Sequence, residues 1–129
     1  MNGHRPSGEE GSAATEAVLV TPALLFLVML VIQFGLWYHA QHVVRAAAEE
    51  GVRAARAEQS SAGDGERTVE SFLAQAGPRL VIEPDVTVGR TADEVTVAVR
   101  GRAVSVVPGL SLPLEATAVS PVEQFRASR

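Results

Sequence analysis

An α+β fold is predicted: a long N-terminal transmembrane α-helix, then a short helix, then a small antiparallel β-sheet. Three observations predict it. Residues 17–44 contain no Asp, Glu, Lys or Arg, whereas the other 101 residues hold all 26 formal charges. Apolar residues recur at helical spacing as far as residue 76, and from Leu80 onward they alternate with a period of two. Gly and Pro clusters punctuate the chain where those patterns change.

Composition narrows the function classes. The chain has 129 residues, no Cys and no Lys, so thiolate metal sites, cysteine nucleophiles, P-loop lysines and Schiff-base lysines are excluded. Its formal net charge is −4 with signs intermixed, and no basic stripe interleaved with aromatics suggests a nucleic-acid partner. Phe26, Phe34, Trp37 and Tyr38 lie in the apolar block, which leaves only Phe72 and Phe125 for a core elsewhere.

The first ten residues are polar and are expected to be disordered. Residues 17–38 read AVLVTPALLFLVMLVIQFGLWY, with Thr21, Pro22, Gln33 and Gly35 as the four exceptions to apolar character. As a helix they span roughly 33 Å, enough for a hydrocarbon core of about 30 Å. A lone segment in lipid must satisfy its own backbone, which selects a helix. Trp37 and Tyr38 close the block as amphipathic rings do at a membrane interface. The block is too long for a secretory h-region, and no A-x-A cleavage site follows it.

Residues 39–59 continue the helix with Ala and straight-chain side chains of high propensity. A helix over about 12–59 would be roughly 70 Å long, with a kink expected near Pro22. Val43, Val44, Ala47, Gly51, Ala54 and Ala55 form a stripe of small residues, and Arg45–Glu49 and Glu49–Arg53 are spaced as i,i+4 ion pairs. The stripe suits close packing either on neighbouring subunits or on the chain's own C-terminal part.

Ser60 to Gly65 is a turn cluster. Val69, Phe72, Leu73 and Ala76 then stand at i, i+3, i+4 and i+7, predicting a helix over 65–76 that stops at Gly77-Pro78. Strands are predicted around Val86/Val88, Val95/Val97/Val99, Val104/Val106 and Leu112/Leu114/Ala116/Ala118, giving a sheet of three or four strands. Gly89 to Asp93 and Pro108-Gly109 supply turns, and Pro84, Pro113 and Pro121 belong at strand ends or edges.

No catalytic motif is present. His39 and His42 share a helix face with Glu49 two turns on, a weak metal arrangement against which interfacial His residues are the plainer reading. Asp93-Glu94 and Glu49-Glu50 fall in a turn and on a solvated face. Neither a small-molecule substrate nor a cofactor is implied.

The string Gly11-Ser12-Ala13-Ala14-Thr15-Glu16, running straight into the apolar block, resembles a type IV prepilin processing site. Pro22, the Phe34-Gly35 pair and the run Glu50-Gly51-Val52-Arg53-Ala54-Ala55 extend the likeness. In this order they resemble the TadE family, pilin-like proteins of bacterial tight-adherence (Flp-type) pilus systems. The later Val95 to Val107, Pro108-Gly109-Leu110 and Ala116-Thr117-Ala118 are similar to that family's tail. Ala17 departs from the aromatic often found there, and the leader lacks a basic cluster.

The resemblance implies a pseudopilin, a minor membrane component of a pilus or secretion assembly rather than an enzyme. A prepilin peptidase would cut after Gly11, giving a leader of 1–11, a membrane and extended helix of 12–59 and an extracytoplasmic module of 60–129. Ser12 would carry the new amine, Glu16 would be the fifth mature residue, and Glu16 and Pro22 would set assembly register. Membrane lipid, the peptidase and other pilin-like subunits would be its partners. The resemblance also implies a cytoplasmic N-terminus, although Arg5 before the block and Arg45, Arg53 and Arg56 after it favour the reverse by charge. The competing expectation is a single-pass anchor displaying a small binding or sensory module.

Overall fold

The computed structural model describes residues 7–57 and 60–122. Helix α1 runs from Ser7 to Arg56, α2 from Ala62 to Ala76, and strands β1, β2 and β3 cover Val81–Arg90, Glu94–Ala103 and Pro113–Pro121. The strands form one antiparallel sheet in the order β1-β2-β3. Two helices against one three-stranded sheet is the expected α+β class.

α1 starts about five residues ahead of the expected position, at Ser7 rather than Ser12. Of the ten residues expected to be disordered, 7–10 are therefore helical, and 1–6 lie outside the described residues. Once nucleated, a helix extends at the cost of one residue per bond gained, and no proline intervenes between Ser7 and Pro22. Pro22 lies inside the continuous helix. Neither anticipated pair, Arg45–Glu49 or Glu49–Arg53, forms among the described residues; Arg53 instead pairs with Glu50 at 2.7 Å, an exposed i,i+3 contact of little energetic weight.

α2 begins at Ala62, three residues earlier than expected, because Ser61 and Asp64 build its N-terminus. The Ser61 amide donates to Asp64 Oδ2 at 2.7 Å, and Arg67 pairs with the other carboxylate oxygen. The Ser61 backbone amide, then the Arg67 and Ser61 side chains, hold the Asp64 carboxyl below the usual carboxylate range. Val69 and Leu73 are buried and Phe72 half-buried, so the anticipated apolar stripe is the packed face, while Ala76 stays exposed.

The sheet alternates as period-two patterning requires. Val95, Val97, Val99, Leu114 and Ala116 are buried, while Thr87, Arg100, Glu115 and Thr117 on the other face are exposed. β1 begins at Val81, before the anticipated Val86/Val88 pair, and carries a bulge between Ile82 and Asp85, with Glu83 at φ 51°. Pro84 sits in that bulge on an edge strand, where its missing N–H breaks no ladder bond. Val104 and Val106 do not form a strand. They belong to the β2–β3 connection, where the Val104 amide donates to the Leu80 carbonyl at 2.9 Å, while the Val104 carbonyl and the Val106 amide are tied to α1.

The core settles the fate of the small-residue stripe. Ala40, Val43, Val44, Ala47, Ala48, Val52 and Ala55 of α1 pack with Val69 and Leu73 of α2 and with the inner face of the sheet. The stripe faces the chain's own module. Small residues are needed because α1 and α2 approach closely. A Cβ on Gly51 would lie 2.5 Å from Val69 Cγ2, and one on Gly65 would lie 2.9 Å from Ala55 Cβ and 3.1 Å from the Gly51 carbonyl oxygen. Beyond the end of α1, the guanidinium of β1 Arg90 donates to the carbonyls of Ala57, at 3.2 Å, and Ser60. A cation there also complements the helix dipole.

Two predictions follow from this packing. Gly65→Ala gains about 1 kcal/mol of helix propensity. It also forces a methyl against another methyl and a backbone oxygen, and overpacking of this kind costs about 1–3 kcal/mol. Thermal unfolding of the full-length protein in detergent micelles should therefore show a net loss. Gly63→Ala, whose nearest neighbour is Ser61 Oγ at 3.6 Å, should show none. Secondly, the lowered Asp64 pKa stabilises the fold above the ordinary carboxylate value and ceases to do so as pH falls through the folded one. The stability difference between wild type and Asp64→Asn should thus be largest near neutrality and shrink below about pH 4.

Candidate functional site: the bare half of α1 and its junction with the module

The two halves of α1 have different surroundings. From Met29 onward its burial rises, and from Ala40 to Ala55 one face is sealed against the module. Residues 11–28 are exposed throughout, including Val18, Leu19, Leu25, Phe26 and Leu27. A core helix of a water-soluble domain would have these side chains covered. Here they are bare, on a helix long and apolar enough to cross a membrane.

The anticipated processing residues lie on this half. Gly11, Ser12, Glu16 and Pro22 are all exposed on α1. The Thr15 hydroxyl donates to the Gly11 carbonyl at 2.8 Å, one helical turn back. Ser12 and Glu16 are four residues apart and so share a helix face. Glu16 makes no hydrogen bond or ion pair with any described residue.

Trp37 and Tyr38, taken from the sequence as interface rings, have separate surroundings. Trp37 is half-buried, and its indole N–H donates to the Pro113 carbonyl at 3.1 Å. Gln41, one turn later, donates to the Glu115 carbonyl at 2.6 Å. These two bonds attach α1 to strand β3. Tyr38 points away, 63% exposed, with its ring edge-on to His42 at 4.6 Å. His39, His42 and Glu49 are exposed, and no group of three metal-ligating side chains occurs among the described residues.

The residue that sequence reasoning missed is Gln33. It is wholly buried, the one polar side chain so placed among the described residues. Its Nε2 donates to the Val104 carbonyl at 3.0 Å, and its Oε1 accepts from the Val106 amide at 2.8 Å. Both ends of one amide thus clamp the β2–β3 connection to α1. The signal was present in the sequence: an amide inside an apolar run is costly unless partnered. What the sequence concealed was a partner more than 70 residues away.

The extent of the bare helix and the packed stripe can now be compared with known proteins. Residues 11–53 match the family model of TadE-like proteins. The match starts at Gly11 and takes in the exposed half of α1, the Gln33 clamp and Gly51. It spans 43 of 129 residues, so the TadE-like segment is about one third of the chain, and α2 and the sheet lie outside it. No curated protein and no solved structure matches the chain.

Replacing Gln33 by Leu tests the clamp. The Val104 carbonyl and Val106 amide would each lose a buried partner, at about 1–3 kcal/mol apiece. Hydrogen exchange of the micelle-embedded protein should accelerate across residues 104–112, while the β1–β2 ladder keeps its protection. Unchanged exchange in that connection would mean that Gln33 does not hold it.

Proposed function

We propose that the chain is a TadE-like pseudopilin, a minor membrane component of a tight-adherence (Flp-type) pilus or secretion assembly. On this reading α1 crosses the membrane once, with its N-terminus cytoplasmic and the module of α2 and the sheet outside. A prepilin peptidase removes residues 1–11, and the mature chain begins at Ser12. Its work is packing rather than catalysis, in contact with membrane lipid and other pilin-like subunits.

The observation that carries this reading is the division of labour along α1. The C-terminal half is occupied by the chain's own module. The bare half therefore remains for lipid and for neighbouring helices, and it is the half that holds the TadE-like start. Glu16, exposed and without a partner among the described residues, supports a role in register. An unpaired charge against an apolar bundle is costly, so a carboxylate there favours the one stagger that gives it a cation. The amine released on Ser12 of a neighbour would be that cation, protonated at neutral pH.

Two measurements bear on this. Intact-mass analysis of the protein isolated from membranes of a host with a prepilin peptidase should give a mature N-terminus at Ser12. An intact chain would favour a plain single-pass anchor displaying a binding or sensory module. Glu16→Gln should insert into the membrane as wild type does and yet crosslink less to neighbouring subunits. Equal crosslinking would remove the register role.

A further inference from the structure

We propose that the β2–β3 connection, residues 104–112, is a second membrane contact, its tip seated at the acyl boundary of the outer leaflet beside α1. This rests on the reading of α1 as a membrane span, and it goes beyond that reading because it gives the module a lipid-facing surface of its own.

The first line of argument is length. Counted to Tyr38, the apolar block spans roughly 33 Å and fills a hydrocarbon core of about 30 Å. The module, however, reaches down α1 as far as Gln33, and burial on α1 begins already at Met29 and Leu30. The stretch short of Gln33, from Ala17 to Ile32, is only about 24 Å long. With the module held wholly in water the helix is short by about 6 Å, and mismatch costs fractions of a kcal/mol for every ångström.

Two adjustments close the gap. Drawing Ser12 to Glu16 into the hydrocarbon lengthens the span but takes in the Glu16 carboxylate, which has no partner within the described chain. Lowering the β2–β3 connection into the outer leaflet keeps Glu16 at the opposite boundary.

The connection is built for the second course. From Ala103 to Leu114 the chain reads AVSVVPGLSLPL, twelve residues without a charge. Val106 is 40% exposed, Pro108 and Gly109 are exposed, and Leu110 is half-buried. Non-helical backbone needs its polar groups satisfied within the protein in the hydrocarbon itself, whereas at the acyl boundary water and headgroups take the amides of the tip that have no partner in the protein. Gln33 takes the Val104 carbonyl and the Val106 amide. The Leu110 amide and the Ser105 hydroxyl both donate to the Val107 carbonyl, and the Ala103 amide donates to the Leu112 carbonyl. Charge resumes just outside this stretch, in the exposed pairs Arg102–Glu83 and Arg100–Glu115.

The absence of cysteine from the chain makes the test direct. Single-cysteine variants Val106→Cys and Ser111→Cys, with Leu27→Cys in the span and Thr117→Cys on the outer face of the sheet, would carry an environment-sensitive fluorophore. Each full-length protein is placed in liposomes of phosphatidylcholine brominated near the headgroup end of the acyl chains, and the Leu27 variant in liposomes of phosphatidylcholine brominated near the chain ends. The expected result is a blue-shifted emission and loss of intensity for labels at 106 and 111, with no loss at 117. Quenching at 27 without quenching at 106 and 111 overturns the membrane contact and leaves the span standing. Quenching at 117 as well means the module lies flat on the bilayer, which also overturns it. An unquenched label at 27 removes the span itself, and this proposal with it.

Discussion

One unbroken helix serves two environments, and the rest of the structure is arranged around the place where one gives way to the other. Toward its N-terminus α1 shows apolar side chains on every side; toward its C-terminus it shows a single packed face. Gln33 stands at the change. A neutral amide suits that position because it carries both a donor and an acceptor and no net charge. Turned toward the connection it satisfies two backbone groups; turned to lipid it would satisfy none. The clamp therefore fixes how α1 is rotated as well as how far the module reaches along it.

The module depends on α1 for its interior. Seven of the sixteen residues in the main core cluster come from that helix, and all seven are Ala or Val. Side chains this small contribute little individually, so the core gains by bringing backbones close together, as at Gly51 and Gly65. Close approach leaves little freedom to slide. Trp37 and Gln41 add bonds to the edge of β3, and Arg90 secures the far end of α1. The C-terminal half of α1 and the module are consequently held together along their whole contact.

Most of the fold was legible in local pattern. The charge-free block, the stripe from Val43 to Ala55, the Val69/Phe72/Leu73 face and the alternating valines of β2 each announced an element, because each follows from periodicity within a few residues. The family resemblance was legible for the same reason, since Gly11 to Glu16 and Glu50 to Ala55 are contiguous strings. The errors arose where a distant partner decides. Val104 and Val106 alternate as a strand would, but Gln33 takes the Val104 carbonyl and the Val106 amide. The stripe was compatible with two partners, and only the tertiary arrangement shows that the sheet and α2 occupy it. The early start of α2 came from the Ser61–Asp64 pairing, which was hidden within a cluster read only as a turn.

The continuity of α1 has a consequence for the proposed assembly. When the amine on Ser12 of one subunit meets Glu16 of the next, the two helices are offset by four residues, or about 6 Å along their axes. A flexible linker would absorb that offset before it reached the module. Here the helix continues without a break from the register residues into the core of the module. The stagger set at one end is therefore transmitted to the sheet at the other. The exposed outer face of the sheet, with its Arg100–Glu115 pair, would be presented at heights fixed by a carboxylate roughly 38 Å away, at about 1.5 Å of helix per residue from Glu16 to Gln41, which bonds the Glu115 carbonyl. A small Ala- and Val-rich core, which would be a weak foundation for an independent domain, is well suited to this task because it locks the module to the helix that carries the register.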